Sequence, residues 1–413
     1  LFRSNTLYLN FLSSQMTDYE RPDESQRPKV GKFQGYDHIV FNVSNAKQAA
    51  EWYSIRFGFE IVGYKGLETG SREIAAYVLQ KGKIFFVMQC ALHPEDATGI
   101  AAQVAISGDH VHDVSFRVAD CEALYEKAIE RGAISVHPPI TLKDDDGEVI
   151  ICKVKTYGNV NHTFIQRDGY KGAFMPGFQK YTKVDPVLKL LPETGIYEID
   201  HIVGNQSDHQ MDGIVQWYID TFDFHRYWSV DDKQICTEYS ALRSIVVADF
   251  DETIRFPVNE PADGLKKSQI KEFVEWHGTA SGIGGATHGM GGAGVQHIAL
   301  RTDDILASIS AMRARGVDFL TIPPTYYTNL RERLKKSPVK VTQDLDEVER
   351  LGILVDFDDS GYLLQLFSKP AQPKPTLFYE VIQRCNGFAG FGVGNFSALF
   401  LALEQEQALR GNL

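Results

Sequence analysis

Three side chains in the second half of the chain could together hold a metal ion. His201 stands in IDHIVGNQ, His297 in GVQHIALR and Glu380 in FYEVIQR, each inside a short apolar run that reads as a strand. Two imidazoles and one carboxylate are the donor set of a facial-triad Fe(II) site. Three protein ligands leave three coordination positions open on the other face, enough for a chelating α-keto acid and dioxygen. The chain has 12 histidines, and a lone histidine on a strand usually serves packing or the surface. His209, His225, His277 and His288 are read that way, as structural or solvated.

What sets the three candidates apart is an internal duplication. YDHIVFNVSNAKQAAEWYSIRFGFEIV, from Tyr36, returns as IDHIVGNQSDHQMDGIVQWYIDTFDFHRYW, from Ile199. HVHDVSFRVADCEALYEKAIERGA, from His110, returns as GVQHIALRTDDILASISAMRARGV, from Gly294. A weaker pair is TFIQRDG at Thr163 and EVIQRCNG at Glu380. Each long copy places a strand before a polar turn and an amphipathic helix. The predicted fold class is α+β: two βαβββ modules per half, the strands of each half curling into an open barrel. The halves are expected at 31–170 and 195–384, joined by a linker holding Pro176, Pro186 and Pro192, with a C-terminal segment at 385–413. At the matched positions the first half offers His38, Asp113 and Thr163, one strong ligand and two poor ones. The duplication therefore predicts one live metal site, in the second barrel, and one relic.

The C-terminal segment reads as a lid. Gly390, Gly392 and Gly394 form a hinge. Asn395 is a good N-cap for a helix over 396–409, with Phe396, Leu399, Phe400 and Leu403 on one apolar face. Glu404, Gln405 and Gln407 are expected to face water.

The 413 residues carry 42 Lys and Arg against 54 Asp and Glu, a formal net charge of −12 without a basic stripe. That argues against nucleic acid or an anionic membrane as the main partner. No apolar run reaches the length of a membrane span. Cys90, Cys121, Cys152, Cys236 and Cys385 form no C-x-x-C pair, which fits a reducing, cytoplasmic setting. Residues 1–15 precede Met16 and read as an extension, with a transit peptide as the lesser reading. The glycine-rich stretch 278–290 reads as a flexible loop close to His297.

The segments FHRYWSVDD, EYSALRSIVVAD, NEPADGLKKSQI, GYLLQLF, PTLFYEVIQR and GFGVGNFSALF resemble the 4-hydroxyphenylpyruvate dioxygenases of animal type, in the vicinal-oxygen-chelate superfamily. The likeness runs from about Gly31 to Leu413, and the stretch 278–290 is longer than the family's usual turn. It implies Fe(II) on His201, His297 and Glu380, and conversion of 4-hydroxyphenylpyruvate and O2 to homogentisate and CO2 in tyrosine catabolism, without added 2-oxoglutarate. It also implies a homodimer. The implied substrate contacts are Ser244, Asn259, Gln269, Gln296, Gln365, Phe367, Phe378, Phe391, Asn395 and Phe396. Strand alternation supports part of that set: Gln365 shares a face with Phe367, and Phe378 with Glu380. Gln296, beside His297, is expected to point to the opposite face. Two alternatives stay open, a hydroxymandelate synthase-like enzyme and a non-catalytic binding protein of the same fold.

Overall fold

The computed structural model describes residues 17–18, 21–93, 95–230, 241–262, 264, 266–278 and 292–411. Residues 1–15, His288, Cys236 and all but Gly278 of the glycine-rich stretch lie outside them. After β1 (Thr17–Asp18), the first module runs β2 (Phe33–Asn42), α1 (Ala46–Phe57), β3 (Glu60–Lys65), β4 (Ile74–Lys81) and β5 (Ile84–Ala91). Helix α2 (Ile100–Ser107) leads to the second: β6 (His110–Val118), α3 (Cys121–Glu130), β7 (Ser135–Asp144), β8 (Gly147–Lys155) and β9 (Asn161–Gln166). Beyond β10 (Gln179–Lys180) come β11 (Ile196–Asn205), α4 (Met211–Phe222), β12 (His225–Val230), β13 (Ala241–Ala248) and β14 (Arg255–Ala262). Helix α5 (Gln269–His277) precedes the fourth module: β15 (Gly294–Thr302), α6 (Ile305–Ala314), α7 (Pro324–Leu334), α8 (Leu345–Leu351), β16 (Leu354–Phe357), β17 (Tyr362–Phe367) and β18 (Phe378–Cys385). Helix α9 (Phe396–Leu409) ends the described chain.

The βαβββ pattern repeats because the local signals repeat. The Asn45 side chain accepts from Gln48 N to start α1, Asp120 from Ala123 N to start α3, and Asp304 from Ala307 N to start α6. Gly58 closes α1 at φ 78°, where a side chain would be strained. The two nine-stranded sheets have the same order, β10-β3-β4-β5-β2-β6-β9-β8-β7 and β1-β12-β13-β14-β11-β15-β18-β17-β16. In each, the first strands of the two modules pair antiparallel at the centre, β2 with β6 and β11 with β15. Each centre strand also has a parallel neighbour closing its own module. The fourth module departs from the others by inserting α7 and α8.

Both halves share one apolar core, in which Phe33 and Phe164 meet Phe222 and Phe224. Buried polar tips cross the same seam. Tyr379 of β18 donates to Tyr53 of α1 at 2.6 Å, and Tyr218 of α4 meets His162 Nε2 of β9 at 2.7 Å. Since Tyr379 faces this seam, alternation turns its neighbours Phe378 and Glu380 to the other face of the second sheet. No helix among the described residues is long and apolar enough to cross a membrane.

Candidate metal centre

Register brings the three candidates together. His201 on β11 lies opposite Ala299 on β15, and Ala299 opposite Glu380 on β18. His297 stands two residues before Ala299, so all four share one face. The small Ala299 side chain lets His201 and Glu380 lean toward each other across it. His201 Nε2 and His297 Nε2 both lie 3.2 Å from Glu380 Oε2, and the three donor atoms fall within 4.8 Å of one another. Two ligands about 2.1 Å from one ion at right angles are about 3 Å apart, so the set fits a metal. All three side chains are buried.

The far nitrogen of each imidazole is tied back. His201 Nδ1 bonds Asp200 Oδ1 at 2.8 Å, and Arg384 grips that carboxylate with Nε and Nη2, both at 2.8 Å. His297 Nδ1 bonds Gln296 Oε1 at 2.8 Å, and Gln296 Nε2 donates to Gln269 Oε1 at 2.9 Å. An acceptor on Nδ1 leaves the Nε2 lone pair for a metal. The supports differ in charge, and the electrostatics follow. Burial lowers the affinity of both rings for a proton, but the Glu380 and Asp200 carboxylates outweigh it at His201 and raise its pKa. At His297, backed by a neutral amide, burial prevails and the pKa falls. Burial alone would raise Glu380, yet the two imidazoles hold it down at about 2, so it presents an anion. Asp200 is held well below the usual carboxylate range by Arg384 and His201, against the pull of burial.

The residues implied as substrate contacts fall into separate groups. Phe378 stacks on the His297 ring at 5.0 Å, Phe367 stands edge-on to it at 5.7 Å, and Phe391 meets His201 edge-on at 5.1 Å. Gln365 is 1% exposed and neither amide atom has a hydrogen-bond partner among the described residues. A side chain at Gly392 (φ 77°) would come within 2.5 Å of that amide, so only glycine lets the tail cross there. Ser244 and Asn259 are buried partners on β13 and β14, and Asn259 Nδ2 donates to Asn205 Oδ1 at 3.3 Å. Phe396, half-buried, packs with the cluster of Trp228, Leu242, Phe391 and Phe400 under α9.

Three expectations are corrected. Gln296 does not turn its polar group away from His297, because a bulge at Val203/Gly204 in the β11–β15 ladder breaks strict alternation there. Asn395 occupies the N-cap of α9 without capping it, its Oδ1 accepting instead from Tyr326 of α7 at 2.7 Å. Glu404 and Gln407 are buried, at 5% and 0% exposure, because that side of α9 lies on α5. Gln407 Nε2 reaches Lys267 O at 3.4 Å, and Arg410 clasps Glu272 of α5 through Nε at 3.1 Å and Nη2 at 2.8 Å. Between α5 and α9 runs a cleft lined by Gln269, Gln296, Phe378, Leu403 and Arg410. Of the histidines read as structural or solvated, three are described. His277 stacks on Phe273 and is pushed down to about 3 by burial; His225 lies 3.6 Å from Glu252; His209 sits in a turn at φ 61°. Sequence reasoning missed Asp200 and Arg384, although both recur in the repeated D-H-I-V and Q-R stretches.

The family model of the glyoxalase/bleomycin resistance protein/dioxygenase superfamily matches residues 35–161 and 198–366, the two duplicated halves. A 4-hydroxyphenylpyruvate dioxygenase of Tetrahymena thermophila is 50% identical over 399 residues, 96% of this chain and 95% of that protein. That of Danio rerio is 50% identical over 96% of both. This chain belongs to the 4-hydroxyphenylpyruvate dioxygenase family. Membership of this family accounts for the two curled sheets of duplicated modules. A solved structure of a triple mutant of 4-hydroxymandelate synthase from Streptomyces coelicolor has the same architecture, with TM-score 0.75 and 27% identity, covering 91% of this chain and 99% of that one.

Proposed function

We propose that this chain is an Fe(II)-dependent dioxygenase that converts 4-hydroxyphenylpyruvate and O2 to homogentisate and CO2. The observation that carries the reading is the convergence of two Nε2 atoms on one Glu380 oxygen, each imidazole oriented from behind. Iron bound there would supply Lewis acidity and electron exchange with O2. The protein's own part is positioning. Asp200 with Arg384, and Gln296 with Gln269, hold the ligand rings in one tautomer. Phe367, Phe378 and Phe391 wall the centre with apolar rings and keep water off it. A buried amide without partners costs about 1–3 kcal/mol, and Gln365 recovers that by bonding a polar group of the substrate. Asn259, Ser244 and Asn395 stand as further polar contacts, and Phe396 as the edge of the pocket.

In this reading 31–170 is a non-catalytic half, 195–384 the catalytic half and 385–413 a lid, with α9 closing over the cleft beside α5. The enzyme works as a cytoplasmic homodimer and takes its keto acid from the substrate itself. The test is product identification after mixing iron-loaded protein with 4-hydroxyphenylpyruvate and air. Homogentisate with one CO2 per O2, without 2-oxoglutarate, is expected. Formation of 4-hydroxymandelate would move the protein to the synthase reaction, and absence of oxygen uptake would make it a binding protein.

A further inference from the structure

The first half keeps the frame of the metal centre and changes what stands inside it. His38 Nδ1 bonds Asp37 Oδ1 at 2.7 Å, and Arg167 Nη2 donates to the same oxygen at 2.9 Å, repeating His201, Asp200 and Arg384. At the place of His297 stands Asp113, 0% exposed; Ser115 replaces Ala299 and Thr163 replaces Glu380. On the next strand, Lys153 lies opposite Thr163 as Phe367 lies opposite Glu380. Lys153 Nζ comes 3.2 Å from Asp113 Oδ2. Ser115 Oγ donates to Asp113 Oδ1 and Thr163 Oγ1 to Oδ2, both at 2.7 Å, and His38 Nε2 is 3.1 Å from Ser115 Oγ.

We propose that the first half is a cation site that its own Lys153 ammonium fills in place of a divalent metal ion. A fully buried carboxylate requires a counter-charge. In the second half that charge is left to a metal; here a lysine delivers it from inside the chain. About the Asp113 carboxylate stand the Lys153 ammonium, the Ser115 and Thr163 hydroxyls and, one hydrogen bond further out through Ser115, the His38 imidazole; without the ammonium that is a mixed nitrogen and oxygen set of the kind that suits a divalent ion such as Mn2+. The Lys153 side chain is 21% exposed while Asp113 is sealed, so the lysine enters from the solvent side. Cutting it back leaves a path for water and ions to an anion beside an imidazole. The native chain accordingly binds metal at the second centre alone.

Full-length, metal-free protein dialysed against Mn2+ and assayed for bound manganese tests this. The native chain should take up one ion, Lys153→Ala two and Lys153→Arg one. In a Glu380→Ala background, which removes a ligand of the second centre, adding Lys153→Ala should restore one. That pair of variants reads the first half alone, so it stays informative whichever way the assignment of the second centre falls. Two ions in the native chain, or no added manganese with Lys153→Ala in either background, overturns the proposal. If Lys153→Ala folds only with Mn2+ present, the site is supported. If it fails to fold at all, Lys153→Met with Asp113→Asn removes both charges together. That double variant should melt near the native temperature and bind one ion; melting as low as a misfolding single variant would show the charges are not each other's partners.

Discussion

The two halves place an arginine, an aspartate and a histidine on equivalent strands, yet among the described residues only the second brings three possible metal donors around a common point. Behind His201 and behind His38 the support is the same, a buried carboxylate held by Arg384 or Arg167. In front of the rings the halves part: Glu380 and His297 face His201, whereas Ser115, Asp113 and Thr163 face His38. The frame therefore does not depend on the ion. A buried His–Asp–Arg chain is stable in either setting, and the proposed metal chemistry rests on the few residues that differ.

The largest test of that contrast removes a histidine from each side. His201→Ala or Glu380→Ala should empty the second centre of iron and leave less than about 1% of turnover, beyond the 10–100-fold typical of losing a mere support. His38→Ala should keep iron content and turnover, apart from a packing cost read by thermal melting. Loss of iron from a folded His38→Ala protein would break the division into a live and a relic site. The supports come next. Asp200→Asn should weaken iron binding about 10–100-fold, and Gln296→Ala should lie near the lower end, about 10-fold, because it removes a neutral acceptor. Equal losses, measured by iron titration, would refute the distinction drawn between charged and neutral supports.

The lid offers a smaller, sharper test. Deleting everything after Gly390 should leave a folded, iron-binding protein whose turnover falls about tenfold or whose oxygen use runs ahead of homogentisate. Arg410→Ala, which removes the clasp between the end of α9 and Glu272 of α5, should give the same uncoupling by only a few-fold. Unchanged coupling in both would reduce α9 to packing.

The repeated strands made the convergence of His201, His297 and Glu380 legible because module and register are copied together. A match in D-H-I-V fixes both the strand and the face of its histidine. Lys153 escaped notice because β8 has no recognisable copy in sequence, and its partner Asp113 is reached only through the ladder. Glu404 and Gln407 were misplaced for a related reason. Helix periodicity finds one apolar face, but their burial comes from α5, far back in the chain. The inserted α7, which takes up the Asn395 side chain, likewise has no counterpart in the other modules from which to infer it.

A separate effect is on pH. Burial lowers His110 and His162 to about 4 and His112 and His277 to about 3. His110 and His277 face each other edge-on at 5.7 Å, and His162 spans the seam to Tyr218. Below an unfolded-state pKa of about 6.5, the unfolded chain binds protons that these folded rings refuse. Stability contributed by them is therefore complete above that pH and declines as pH falls toward 4, by on the order of 1.4 kcal/mol per histidine per unit. Denaturant midpoints should drop over that window, and His277→Phe should flatten the slope. An unchanged slope would show that His277 does not contribute.

The hydroxyl contact between Tyr53 and Tyr379 has a bearing on how such a protein could change over time. Tyr379 is the residue next to Glu380, so the strand that presents the carboxylate is anchored to a helix of the half that has no metal triad. A duplicated copy released from catalysis is ordinarily free to drift or be lost. Here its first helix backs the strand that carries its sibling's carboxylate, and selection on that strand reaches through the contact into the first half. With the apolar core that the two halves share, that tie predicts that they melt together and that neither survives as a separate gene product.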